Sequence, residues 1–478
     1  MLTQTVHGDS RLSLWLRVRE YAVPPSMIET ATARRSAGDW AGACAAAGFD
    51  VDLNLRAAAR TYGRELAARI RADLRRLAPD LLRWHMPRVA PDGLLRPGLT
   101  LTLARYDPAG RHGPGPVHLV VRTPPAWADG GQRISLALWD GSHAETGGHP
   151  PGQPPAPAHP HLRPNRQFRL DLHRHLWDAH RSDELRTRSG ADRPPADGRP
   201  SADPDFLGLL PPGHGCAVDR WAAEAGILLR AEGRSSGRLR VRCGTRHRLV
   251  LDAQVDSDLG LTVAAAAPAD GDARAPLLVL PDAATWVLPD LELVRAGSIE
   301  VDRLHPLVAS ALAPDHAPAG PSLPPDRAGR PRLVECRGAV HRIALVDGVL
   351  VPLDHDPAEI RREELLVALS GTPLPCLRAI DAAHRRPDCL TGVRERLDHG
   401  DTAGALAVVE GLLGPGAVLR SGDLRDELEA AALRRITYGL FRAGLVGPAP
   451  ARMAPHRSRP TDAFPGDRRS RPRLAHLR

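Results

Sequence analysis

The chain contains no lysine, so all 64 of its basic residues are arginine. Codon bias in a GC-rich genome accounts for the substitution, and the consequence is chemical. Without lysine there is no Walker-type phosphate loop, no kinase-type β3 lysine and no Schiff-base nucleophile. Asparagine occurs only at Asn54 and Asn165. Aromatic residues make up 4% of the chain, too few to favour a base-stacking surface. No run of eighteen apolar residues is present, so no membrane span and no membrane partner are expected. The start, MLTQTVHGDSRLSLWLRVRE, lacks the apolar core and small-residue cleavage site of an export signal. Six cysteines over 478 residues are too sparse for a disulfide framework and fit a reducing cytoplasm. No His-Glu-x-x-His metalloprotease motif occurs.

What remains is the composition of a soluble globular chain with room for two to four domains. Its hydrophobic fraction is 42% and its charged fraction 25%. The net charge of +8 is uneven. Residues 451–478 hold eight arginines against Asp462 and Asp467, which leaves residues 1–450 nearly neutral. That basic tail is expected to be disordered and solubilising, with phosphate backbones or an acidic protein surface as its alternative contacts.

The stretch Arg238 to Asp252, RLRVRCGTRHRLVLD, organises the pattern. Leu239, Val241 and Cys243 alternate with Arg238, Arg240 and Arg242 at the period of a half-buried strand, and Gly244-Thr245 permits the return of a hairpin. VECRGAVHRIALVD, ending at Asp347, repeats the idea: Val, one residue, Cys, then His-Arg, then an apolar run closed by Asp. Around these hairpins the chain reads as α+β, several small helical and antiparallel β modules joined by Pro-rich linkers.

Residues 1–142 are expected to form a helical unit packed on a β-meander. The helices are one starting at Met27, a short one over Asp39–Ala47, a long one over Leu55–Leu77, striped by Leu66, Ile70, Leu74 and Leu77, and a further turn or two over Asp80–Met86. The strands are Leu99–Tyr106, Val117–Arg122 and Arg133–Trp139. Residues 143–204 read as a Pro/His-rich linker around a helical island, Gln167–Leu185. Residues 205–312 form an α+β module with a helix after Asp219, the hairpin and a strand over Leu259–Ala265. After the linker 313–332, a module over 333–450 opens with the second hairpin. Asp347-Gly348 there signals a type I′ turn, and Asp356-Pro357 starts a helix. Gly38-Asp39-Trp40-Ala41-Gly42-Ala43 is echoed by Gly400-Asp401-Thr402-Ala403-Gly404-Ala405.

Three clusters have residue types that carry chemistry. His214, Cys216, Cys243 and His247 offer two thiols and two imidazoles, the donors of a structural zinc site, but not at the spacing of a standard finger. No cofactor and no stoichiometric zinc are therefore expected, and a buried free cysteine is the alternative. In DLHRHLWDAH, residues 171–180, a helix would place His173, Trp177 and His180 on one face. A divalent-metal site is one reading of that segment and a solvated amphipathic helix the preferred one. Cys376, His384 and Cys389, with Asp381, are what a cysteine nucleophile would use if brought within hydrogen-bond range.

The segments AGDWAGACAAAGFDVDL, LPDAATWVLPDLELVRAG and CRGAVHRIALVDGVLVPLDHD resemble those of uncharacterised actinobacterial proteins. Some of those relatives carry C-terminal ankyrin repeats. HGDTAGALAVVEGLL is similar to the first helix of such a repeat, although no Thr-Pro-Leu-His signature follows. The resemblance spans 1–140 and 205–445 and implies no activity. Such proteins accompany MoxR-type AAA+ ATPases and VWA proteins, so the resemblance implies an interaction role with a partner of that kind. The expected function is a cytoplasmic interaction or scaffolding protein without catalysis. The alternatives are a zinc-containing protein that binds nucleic acid through its basic tail, and a cysteine-dependent enzyme.

Overall fold

A computed structural model describes residues 2–107, 115–141, 159–193, 210, 215–244, 247–254, 277–316, 332–371 and 373–445. The fold is α+β, built on several small separate sheets. Helices α1 (Leu2–Tyr21), α2 (Pro25–Ser36) and α3 (Trp40–Ala46) lead into β1 (Phe49–Asp52), followed by α4 (Leu55–Tyr62), α5 (Arg64–Arg76) and α6 (Pro79–His85). A two-stranded ribbon, β2 (Arg88–Val89) and β3 (Leu94–Leu95), precedes the meander β4 (Thr100–Tyr106), β5 (Val117–Arg122) and β6 (Ile134–Trp139). The three meander strands lie within a residue of their expected positions. Sequence pattern missed β1, which adds to the sheet parallel to β6 and gives the order β1-β6-β5-β4. Its four residues are too few to show a period. The helix expected over Leu55–Leu77 breaks at Gly63, whose φ of 92° belongs to neither helix. The stripe itself holds, with Leu66, Ile70, Leu74 and Leu77 all buried in the first core.

The island Gln167–Leu185 departs from expectation. Residues 170–176 form two 3₁₀ turns, and only α7 (Glu184–Ser189) is α-helical. Its side chains are not solvated either: Phe168, Leu170, Leu176, Trp177 and Leu185 all enter the first core. Polar groups hold the irregular path. Trp177 Nε1 donates to the Leu170 carbonyl at 2.9 Å, Ala78 N donates to the Trp177 carbonyl at 2.8 Å, and Ala179 N to the Arg76 carbonyl at 3.0 Å. The Asp178 carboxylate takes the His180 amide at 3.0 Å and Arg174 at 2.9 Å, a local bonding that competes with helix formation.

In the middle module α8 (Val218–Ala231) packs on β7 (Ser236–Cys243) and β8 (His247–Gln254), and β9 (Leu278–Val279) runs parallel to β7. Asp219 lies in the first turn of α8 and makes no side-chain cap. The strand expected over Leu259–Ala265 lies outside the described residues. Leu239 and Val241 are fully buried and Cys243 nearly so, while Arg238 is exposed and Arg240 and Arg242 are half-buried. Val241→Ala is therefore expected to cost about 1–3 kcal/mol in denaturant unfolding, through lost burial and the cavity left behind. Arg240→Ala should change stability by no more than about 0.5 kcal/mol. A larger loss for Arg240→Ala than for Val241→Ala would invert the assignment of the two faces.

The chain then passes through α9 (Asp282–Thr285), α10 (Pro289–Arg295, begun by proline and followed by Gly297) and α11 (Pro306–Leu312). Leu293, Leu304 and Val308 from this stretch join the first core rather than the hairpin's. The C-terminal module begins with β10 (Arg332–Cys336), β11 (Ala339–Val346) and β12 (Val349–Pro352), an antiparallel sheet. Asp347 and Gly348 both have positive φ, 53° and 78°, as the type I′ turn requires. Helices α12 (Pro357–Ser370), α13 (Pro375–Arg385), α14 (Leu390–His399), α15 (Thr402–Leu413) and α16 (Asp423–Arg442) follow, and the Asp356 carboxylate caps α12 through the Ala358 amide.

The Gly-Asp echo is one local device used twice. Gly38 and Gly400 adopt φ of 79° and 91° to end a helix. Asp39 and Asp401 then cap the next helix by accepting from Gly42 N at 2.8 Å and Gly404 N at 2.9 Å. The carboxylate occupies the place a Cβ at Gly42 or Gly404 would need, and Arg34 or Arg396 pairs with it in each copy. Helix α16 returns to the first unit, where Tyr438 OH donates to Asp50 and Arg442 pairs with Asp52 at β1.

Candidate functional site: an arginine-lined cavity

A cavity of about 560 Å³ lies where α1, the segment after α6, residues 167–189, the start of α8 and residues 282–289 meet. Its wall carries an excess of positive charge. Four of the arginines are neutralised: Arg11 pairs with Glu292 at 2.8 Å, Arg169 with Asp171 at 2.8 Å and Glu232 at 2.7 Å, and Arg19 and Arg188 with one carboxylate each. Arg19 forms a two-pronged pair with Asp290 at 2.8 and 2.7 Å, and Arg188 does the same with Glu224 at 2.7 and 2.6 Å. Arg88 donates only to carbonyls, those of Arg83 at 2.7 Å and Gly93 at 3.4 Å, and its burial pushes its pKa well down. Arg96, Arg220 and Arg242 form no ion pair among the described residues, although all three line the cavity. Arg220 is only 6% exposed, and its buried Nε has no hydrogen-bond partner there. The nearby carboxyl of Asp282 is half-buried; loss of solvent raises its pKa against the longer-range pull of Arg96 and Arg242, and it accepts from Gln167 and Trp286.

Histidines occupy the same wall. Burial lowers His85 and His173 to about 4 and His175 well below its usual value, so all three are neutral near pH 7. His85 Nε2, His173 Nε2 and His175 Nδ1 are buried without a hydrogen-bond partner among the described residues. His173 and His175 meet edge to face at 5.6 Å. They do not form the divalent-metal face that a helix over 171–180 would give. The turns are 3₁₀, and the carboxylate nearest His173 is that of Glu224, 3.8 Å away and held by Arg188. Trp15, Met86, Leu101, Phe168 and Trp286 supply apolar surface between the charges.

Of the four residues expected to form a zinc set, the structure brings two together. The Cys216 and Cys243 thiols hydrogen-bond, with Cys243 protonated and raised by that contact and by burial, and Cys216 the more acidic of the pair. Both flank the cavity, since their neighbours Ala217 and Gly244 line it. His247 stands opposite Cys243 in the β7–β8 register. The His247 side chain and His214 lie outside the described residues, as do the basic tail and much of the expected linkers 143–204 and 313–332.

Cys376 and His384 do not form a nucleophile–base pair. They sit eight residues apart on α13, about 12 Å along the helix axis. The expectation that the chain has no Gly-x-Ser-x-Gly elbow is wrong at the level of sequence, because Gly233-Arg234-Ser235-Ser236-Gly237 spells one. It runs from helix α8 into strand β7, the reverse of the strand-to-helix order that aims a nucleophile, and Ser235 is simply exposed. The cavity arginines were not anticipated as a group. The one advance signal was the density of His and Arg beside Trp177. Comparison with protein-family models, with curated proteins and with solved structures gave no match.

Proposed function

We propose that this chain is a cytoplasmic protein-interaction or scaffolding protein without catalysis of its own, and that its central cavity grips an acidic segment of a protein partner. The observation that carries this reading is the convergence of Arg96, Arg220 and Arg242, none ion-paired among the described residues, on one cavity of about 560 Å³. Of the three, Arg220 is buried, whereas Arg96 is exposed and Arg242 half-buried. Burying a cation such as Arg220 without counter-charge is costly, and an incoming carboxylate removes that cost. Guanidinium forks match carboxylates in geometry. Among the described residues the lining contains a single glycine, Gly244, and no Gly-rich backbone cradle of the kind typical of nucleotide phosphates. The apolar stretch between the arginines suits a peptide with mixed acidic and apolar side chains. Exposed Leu333, Val340, Val349, Leu365 and Leu369 on the C-terminal module also support an interaction role. The resemblance noted above makes an AAA+ ATPase or a VWA protein the partner to look for first.

A pull-down from native lysate with the wild-type chain and with Arg220→Glu/Arg242→Glu tests the reading, with circular dichroism confirming that both are folded. The partner retained by the wild type should be lost in the charge-reversed variant. Equal recovery by both would place the interaction elsewhere.

A further inference from the structure

The second hairpin, read from sequence only as an echo of the first, holds a cluster that the cavity does not use. Cys336 ends β10, Cys376 lies in the first turn of α13, and His355 sits in the turn before α12. Their ligating atoms, two sulfurs and one ring nitrogen, all lie within 4.8 Å of one another. Both thiols are fully buried. The His355 side chain is 4% exposed, and its Nε2 is buried without a hydrogen-bond partner among the described residues. On the other side of that ring, Nδ1 lies 3.6 Å from the Glu359 carboxylate, which Arg337 holds at 2.6 Å. A carboxylate behind an imidazole is how metal-binding histidines are oriented and made more basic.

We propose that Cys336, His355 and Cys376 bind a zinc ion that ties the β10–β12 sheet to α13. Two thiolates and an imidazole are zinc's usual ligands, and binding releases the two thiol protons to solvent. His341 offers a second imidazole beside the cluster. Its ring stacks on His355 at 4.1 Å between centroids, and its Nδ1 is buried and without a partner among the described residues. Closing the tetrahedron requires that ring to turn out of the stack; otherwise water takes the fourth position.

The local packing gives the ion a purpose. Among the described residues the core joining this sheet to α13 has five buried apolar members, Cys336, Ile343, Leu374, Cys376 and Ile380. A core that small gains much from a metal crosslink. The first hairpin has a related plan, with Cys243 on a strand beside Cys216, which stands two residues before a helix. This inference replaces the sequence expectation of no stoichiometric zinc.

Elemental analysis of the full-length chain, expressed with zinc and purified under a non-chelating reductant, tests it. Zinc should be present, and Cys376→Ser and His355→Ala should each lower it by one equivalent per chain, whereas Cys216→Ser should not remove that equivalent. If Cys376→Ser fails to fold, cobalt titration of the stripped wild type decides. A thiolate-to-cobalt absorption band, with zinc protecting Cys336 and Cys376 from alkylation, supports the site. Absence of both zinc and the cobalt band, or zinc unchanged in His355→Ala and Cys376→Ser, overturns it.

Discussion

Asp290→Ala is expected to cost about 3–5 kcal/mol of stability, more than a typical loss of one core methyl group. Asp290 and the head of Arg19 are buried, at 0% and 1% side-chain exposure, so removing the carboxylate strands a guanidinium away from water. The pair is also well built. Trp84 Nε1 donates to Asp290 at 3.0 Å, Arg19 NH1 donates to the Trp84 carbonyl at 2.8 Å, and the guanidinium lies 4.3 Å from the Trp84 ring. Through these bonds α1, α6 and α10 are joined across 271 positions of sequence. Replacing both partners by apolar residues, Arg19→Met/Asp290→Leu, should recover much of the loss, because no charge is then left buried alone. Urea unfolding of the single and double variants measures this. A loss below about 1 kcal/mol for Asp290→Ala would mean that water reaches Arg19.

Mild acid should weaken the fold well before its carboxylates titrate. Burial lowers His85, His173 and His399 to about 4 in the folded chain. In the unfolded chain the same groups take up protons near 6.5. Between those values the unfolded state binds more protons, so stability is fully present above pH 6.5 and falls as the pH drops towards 4. For three buried groups the total loss is on the order of several kcal/mol. His399 carries its share at the contact between modules. Its Nδ1 bonds to the Glu395 carbonyl at 2.9 Å, and its own carbonyl accepts Arg83 NH2 at 2.9 Å. Unfolding free energies at pH 7.5 and pH 5 test this directly, and His399→Gln should flatten the dependence. Equal stability at the two pH values would refute it.

The parts of the fold that sequence revealed are those where one face is apolar and the period is unbroken. The stripe on α5, the meander strands and the alternation of β7 follow from side-chain geometry alone, since each residue's environment is set by its neighbours on one element. The cavity is different because arginine is normally exposed. Nothing local distinguishes Arg220, buried at the start of α8, from Arg230 near its end. Their fates depend on which other elements arrive. The segment 170–178 misled for a related reason. Its Asp, His and Arg side chains bond to nearby groups and give turns where spacing suggested a helix. The thiol pairs were half legible. The resemblance between the two hairpins was visible, but each second cysteine comes from outside its hairpin, Cys216 from just before α8 and Cys376 from α13. Pairing Cys336 with Cys376 requires knowing how α13 packs.

The most direct measurement of the cavity's role is fluorescence anisotropy of a labelled glutamate-rich peptide titrated with the reduced full-length protein at low ionic strength. Cavity binding predicts saturable binding that weakens with added salt, as screening of charge requires. It also predicts loss of that binding in folded Arg220→Glu/Arg242→Glu and its retention in Cys216→Ser. Absence of binding at low salt, or equal binding by the charge-reversed variant, would contradict a cavity built to hold an acidic partner.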